Sequence, residues 1–408
     1  MASAVLHIKD SYYFEVPKGL LPRHYATKAD FPPLWVQLDP QFQDWEAERL
    51  YDEFAKLNPS VGSKTELLRE YREWKHDHSN HGKPFDRFLE QHKDYASWFA
   101  NQSSQSGGAQ RWEAAKARAG GDDAVKIFQK DPTITWSPET IHAYNQHLSG
   151  KILIPQPFGE LRNFYERESG ITVSKFMIIQ VAIALILWGL FAWLGRQTES
   201  GERPKGGLWN LLEVFVVYIR DQIARPAIGA HDGDRFVPLL LTMFFFILGC
   251  NLFGMLPWMG APTASWGVTF ALALVTFGTV VVFGMQKFGV VGFFLNQIPS
   301  MDLPLPLAVL LKPMILAIEL LGLVIKHLVL SIRLLANMVA GHIVLLAILL
   351  MAFSLEGAAS DYWSFPLAPI SLLGAVLISC LELFVAFLQA YIFTFLSALF
   401  IGAAVHHH

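Results

Sequence analysis

Cysteine is almost missing from this chain: 408 residues hold only two, Cys250 and Cys380, and both fall inside apolar stretches. A thiol in such a setting is more often a small packing residue than half of a disulfide or a metal ligand, so no disulfide framework is expected. Charge of one sign is not in excess either, with 32 Lys and Arg against 35 Asp and Glu, and no basic run interleaved with aromatic residues occurs. That balance excludes nucleic acid as a partner. No GxxxxGK[ST] loop is present, so the chain is not expected to bind nucleotide itself. The opening residues MASAVLHIKDSYYF lack a basic segment followed by an apolar one, so no cleavable signal peptide is expected and membrane insertion rests on internal spans.

What is abundant is apolar. Hydrophobic residues make up 52% of the chain and include 31 Phe, more than soluble domains carry. The charges sit unevenly, because residues 1–173 hold 21 of the 32 basic and 24 of the 35 acidic side chains. Residues 1–150 therefore read as a soluble, mainly helical domain. Apolar residues recur three and four apart from Gln41, from Thr65 and from Pro84, each stretch predicting a helix. The polar, glycine-rich stretch 101–108 predicts a loop, and Ser137-Pro138-Glu139 predicts a capped helix start. The closely spaced His76, Asp77, His78 and His81 raise a metal site, against which a solvated polar turn is the simpler reading, and no metal is expected.

Residues 151–408 predict an all-α polytopic membrane domain. Apolar runs at about 174–194, 236–256, 264–286, 304–353 and 366–404 are long enough for five crossings, the last two long enough to tilt or break. Residues 207–228 mix apolar positions with Glu213, Arg220, Asp221 and Arg225, which predicts a helix at the interface. Residues 196–235 carry six Lys and Arg, whereas 257–266 and 354–367 carry none. The loop rule then puts the first segment inside, the C-terminus in the cytoplasm and the soluble domain outside.

Ionisable groups within a membrane cost at least a few kcal/mol each and so mark functional positions. One apolar stretch carries Glu319, Lys326, His327, Arg333 and His342. Lys326 and His327 are expected at helix ends, where side chains reach water, but Arg333 in LVLSIRLLANMV is not. In the last stretch Glu382 precedes Gln389 by two helical turns. With the two helices antiparallel, Arg333 and Gln389 can share one level and His342 and Glu382 another. A titratable pair then lies outward of a permanent cation, with Glu319 inward of it, as a proton path ending at an electrostatic barrier requires. Pro304, Pro306 and Pro313 predict a break in this stretch.

SIRLLANMVAGH from Ser331 resembles the signature of the subunit a family of F-type ATP synthases, matching it at Arg333, Asn337, Gly341 and His342. The final stretch LELFVAFLQAYIF is similar to the family's last helix at Glu382 and Gln389, and FFFILGCNLFGMLPW is similar to a further block that places Asn251 near the outer path. Two departures stand out. Lys326-His327 replaces a basic residue followed by proline, and a domain of roughly 130 residues separates DSYYFEVPKG from ILIPQPFGELRNFYE, which resemble the family's short amino-terminal arm.

The resemblance implies a proton-translocating subunit with two half-channels separated by Arg333, facing a ring of c subunits and assembling with peripheral-stalk b subunits and the rest of the complex. Its last two helices would pack tilted against that ring. Asn337 and Gln389 would orient the guanidinium, Asn251, His342 and Glu382 would line the uptake path, and Glu319 the exit. No cofactor is implied, and the location implied is an energy-coupling membrane, expected to be the bacterial inner one. Two competing classes are a secondary transporter, which predicts a repeat of broken helices, and a structural anchor, which predicts that Arg333 is replaceable. The soluble domain, with six Trp from Trp35 to Trp136, is expected to contact the peripheral stalk or a neighbouring complex.

Overall fold

The computed structural model describes residues 10–77, 80, 82–104, 108–199, 206–256, 259–297, 305–354 and 361–405. They divide into two units, one of Ser11–Val173 and one of Asp10 with Ser174 onward.

The first unit reaches past residue 150 because strands on either side of the helices close on one another. Tyr13–Glu15 (β1) pairs antiparallel with Lys151–Leu153 (β2), Phe14 opposite Ile152, so the two family-like segments meet and the residues between them leave and return at one place. Adjacent ends are what an inserted domain needs to leave its host undisturbed. Between these strands run α1 (Pro33–Gln37), α2 (Pro40–Leu57), α3 (Lys64–Lys75), α4 (Phe85–Gln91), α5 (Ala96–Ser104), α6 (Gly108–Ala119), α7 (Ala124–Lys130) and α8 (Pro138–Leu148). A hairpin of Gly159–Leu161 (β3) and Arg167–Gly170 (β4) follows β2.

The helices expected from Gln41 and Thr65 are α2 and α3. The stretch from Pro84 is cut into α4 and α5 at His92, whose backbone is extended and whose ring stacks on Tyr95 and reaches Glu70 Oε2 at 2.9 Å. Of the stretch 101–108 predicted as a loop, 101–104 belong to α5 and Gly108 starts α6, and 105–107 lie outside the described residues. Ser137 accepts the Thr140 N–H ahead of Pro138, as its sequence predicts. Of the four residues raised as metal ligands, His78 and His81 lie outside the described residues, and His76 Nδ1 is 2.8 Å from the Arg72 carbonyl oxygen.

Aromatic rings fill both cores of this unit. One gathers around Phe54, Tyr71, Phe85 and Trp112, the other around Phe31, Phe42, Phe128 and Trp136. Asp39, ahead of α2, is buried and accepts from Trp136 Nε1 at 2.9 Å and the Tyr144 hydroxyl at 2.6 Å, tying the start of α2 to α8. Burial, reinforced by that bond, pushes the Tyr144 hydroxyl well above its ordinary range.

The second unit contains α9 (Lys175–Glu199), α10 (Gly207–Tyr218), α11 (Arg225–Ile228), α12 (Gly233–Gly254), α13 (Trp266–Asn296), α14 (Leu305–Ser354) and α15 (Asp361–Val405). Five of these, α9 and α12 to α15, are long and apolar enough to cross a membrane. The expected interfacial segment is α10 and α11 joined by a π-helical turn, Ile219–Ala224. Its charges pair locally: Arg225 holds Asp234 through two bonds of 2.8 and 2.9 Å and Asp221 through one of 2.9 Å. Hydrogen bonding to Arg220 keeps the Asp221 carboxyl below the ordinary carboxylate range.

The break predicted from the prolines is absent among the described residues. α14 continues from Leu305 through Pro313 to Ser354, with Pro306 in its first turn, where the missing N–H costs nothing. Pro304 lies outside the described residues. The only non-helical backbone within α13 is at Gly289, whose φ of 74° is open to glycine.

Asp39→Ala would leave a buried and a partly buried donor without this acceptor. It should destabilise the first unit by about 2–4 kcal/mol, read as lost hydrogen-exchange protection in α8 of the full chain, and Asp39→Asn should lose less.

Candidate functional site

The site forms where α14 and α15 pack on each other and on α12 and α13. Small residues set the spacing. At Gly341 a Cβ would stand 3.3 Å from Glu382 Oε1, so glycine leaves room for the carboxylate against the α14 backbone. At Gly254 a Cβ would collide with Ala261 and Met338, so glycine lets the end of α12 come close to α14.

His342 uses that closeness. Its Nε2 is 2.9 Å from the Gly254 carbonyl oxygen, which only accepts, so this nitrogen carries a proton. Its Nδ1 faces the Met338 carbonyl at 3.1 Å and Glu382 Oε1 at 2.6 Å. Although close, Oε1 lies off the line of a hydrogen bond, so the contact is one of charge rather than of aligned donor and acceptor. Glu382 is buried, with 8% of its surface exposed. Nδ1 thus faces two acceptors, a carbonyl oxygen and a carboxylate.

At a second level, Asn337 Nδ2 donates to Gln389 Oε1 at 2.7 Å. Gln389 is 2% exposed, and its Nε2 is buried with no acceptor among the described residues. Arg333, one turn from Asn337 and half-buried, makes no hydrogen bond or ion pair with any described residue. The Arg333 guanidinium and Gln389 Nε2 are thus both without an acceptor among the described residues. Asn337 bonds to Gln389 rather than to the arginine.

Asn251 is 2% exposed and uses both ends of its amide inside the bundle. Its Nδ2 donates to the Ala386 carbonyl at 3.3 Å, and its Oδ1 accepts from Thr263 Oγ1 at 2.7 Å. It stands three residues from Gly254, and its bond to Ala386 falls one turn beyond Glu382. Glu319 is not among these groups. It lies on the N-terminal side of Arg333, half-exposed, with Lys326 Nζ 3.4 Å from its Oε1.

Neither Lys326 nor His327 occupies a helix end, contrary to expectation. Both are mid-span, fifteen or more residues from Leu311 and Leu345, because the helix is unbroken. His327 is 4% exposed between the rings of Phe277 and Phe400, and its Nδ1 donates to the Leu323 carbonyl at 2.8 Å.

A set of buried hydroxyls went unnoticed in the sequence. Ser331 donates to Thr269 at 3.1 Å, and Thr276 and Ser397 are 3.2 Å apart, joining α13 to both α14 and α15. Their signal was present, since Thr269 and Thr276 are seven residues apart in an apolar run and so share one helix face.

Gly341→Val should push Glu382 away from His342 and loosen α14 from α15, costing about 1–3 kcal/mol, seen as a lower thermal midpoint of the lipid-reconstituted chain. Gly341→Ala should cost less.

The profile of a family described as ATP synthase A chain matches residues 176–402. A Myxococcus xanthus protein named ATP synthase subunit a is 41% identical over 242 residues, covering 58% of this chain and 75% of that protein. One of the same name from Chloroherpeton thalassium is 37% identical over 295 residues, 71% of this chain and 84% of its own length. Another, from Anaeromyxobacter dehalogenans, reaches 47% over 229 residues, 55% and 57% of the two chains. These matches, together with five apolar helices, make the chain an integral membrane protein that belongs to the ATP synthase subunit a family.

Proposed function

We propose that this chain is the stationary half of a proton path, working against a rotating ring of c subunits, each with one carboxylate that crosses lipid in protonated form. The observation that carries this reading is that neither Arg333 nor Gln389 Nε2 has an acceptor among the described residues. A carboxylate accepts and cannot donate when ionised, so a ring carboxylate would satisfy both.

An arginine stays charged throughout the physiological range and cannot relay a proton. Its charge attracts the ionised form of a passing carboxylate, forces release of the proton it carried, and blocks direct passage between the two sides. His342 and Glu382, in contact at 2.6 Å, load the ring on one side of this barrier. Glu319 receives protons on the other. The membrane potential supplies about 2.3 kcal/mol per charge per 100 mV, delivered as rotation to a separate ATP-forming head, and this chain holds no nucleotide site.

With the C-terminus in the cytoplasm, the His342–Glu382 side opens outward and Glu319 inward. The soluble unit, 11–173, then stands outside the membrane, in reach of peripheral-stalk b subunits.

Acid-pulse-driven ATP synthesis in inverted vesicles holding the whole complex tests this reading. Arg333→Ala should lower synthesis by at least about 100-fold while the complex still assembles. Retained synthesis would contradict the reading and favour a structural anchor.

A further inference from the structure

Four charged residues of α14 recur every seven positions: Lys312, Glu319, Lys326 and Arg333. Seven residues are nearly two turns, so the four keep to one narrow stripe, drifting only about 20° per step. At about 1.5 Å per residue the stripe is about 32 Å long, the thickness of a bilayer's hydrocarbon. Beyond Arg333 the same stripe continues with Ala340 and Ala347, so its charges are confined to the N-terminal side of the arginine. Lys326 is exposed, and Glu319 and Arg333 are partly so.

Charges so deep would cost several kcal/mol against lipid tails, so this face meets water or a partner. Lys326 is too far from either end of the apolar span to reach the headgroups. The ammonium instead spans two turns to lie 3.4 Å from the Glu319 carboxylate.

The geometry points to Lys326 as a positioning residue of the second half-path: its ion pair draws the Glu319 carboxylate along the stripe toward Arg333 and keeps it there as a charged proton acceptor. This rests on the proposed function, in which protons leave on the Glu319 side. The two sides of the barrier then differ in construction. On one side His342 and Glu382 are buried between helices, whereas on the other Glu319 is placed by a partner of its own helix on an open face. Lys326 acts only through Glu319 and does not itself take the proton.

The test compares Lys326→Met, Lys326→Arg, Glu319→Gln and the double variant Glu319→Gln/Lys326→Met in the assembled complex, with proton-driven ATP synthesis normalised to complex content. Lys326→Met should lower synthesis at least about threefold, in the range of coupled contacts. Lys326→Arg should retain most of it, and the double variant should be no slower than Glu319→Gln alone. Synthesis at the wild-type rate in Lys326→Met, or a double variant slowed by the product of the two single effects, would overturn the assignment. Arg333→Ala, run alongside, separates the two levels. If it retains synthesis, the proposed function itself fails; if it abolishes synthesis while Lys326→Met is unaffected, only the role of Lys326 fails.

Discussion

A guanidinium that cannot give up its charge, held near the middle of a long apolar helix, is the constraint around which the second unit is arranged. Arg333 lacks an acceptor among the described residues, and the Gln389 amide nitrogen at its level lacks one as well. A bundle meant only to be stable would neutralise such groups internally, because a buried donor left unpaired costs about 1–3 kcal/mol. Here Asn337 bonds to the Gln389 amide oxygen, and neither Gln389 Nε2 nor Arg333 has an acceptor among the described residues.

The surroundings keep this arrangement in place. Gly254 and Gly341 let three helices approach closely enough for His342 to touch a carbonyl oxygen on α12 and a carboxylate on α15 together. Asn251 and the hydroxyls of Thr263, Thr269, Thr276, Ser331 and Ser397 fasten the helices around it with polar contacts that lipid cannot displace. Beside the polar groups bonded internally, which hold helices together, stand the charges of the α14 stripe, which are wholly or partly exposed.

Much of this was legible in the sequence because apolar runs and rare charges are strong signals. The five long helices follow from run length, and the meeting of His342 with Glu382 follows from spacing on antiparallel helices. Gln389 meeting Asn337 rather than Arg333 did not follow, since depth is set by residue count whereas direction depends on packing. The expected break did not follow from Pro306, because proline in the first turn removes an N–H that has no helical partner there, while the helix also continues through Pro313. Lys326 and His327 were expected at helix ends because deep charges are costly, yet α14 runs unbroken well past them on both sides. In the first unit the helical periods were readable, but the pairing of β1 with β2 joins residues over 130 positions apart, which no local pattern encodes.

The most direct test is a high-resolution cryo-EM structure of the assembled complex, examined at Arg333. The account predicts a carboxylate oxygen of a neighbouring subunit within about 4 Å of the guanidinium, with the Gln389 amide nitrogen turned toward the same acceptor. An Arg333 paired inside its own chain, or turned away from every neighbouring subunit, would contradict it.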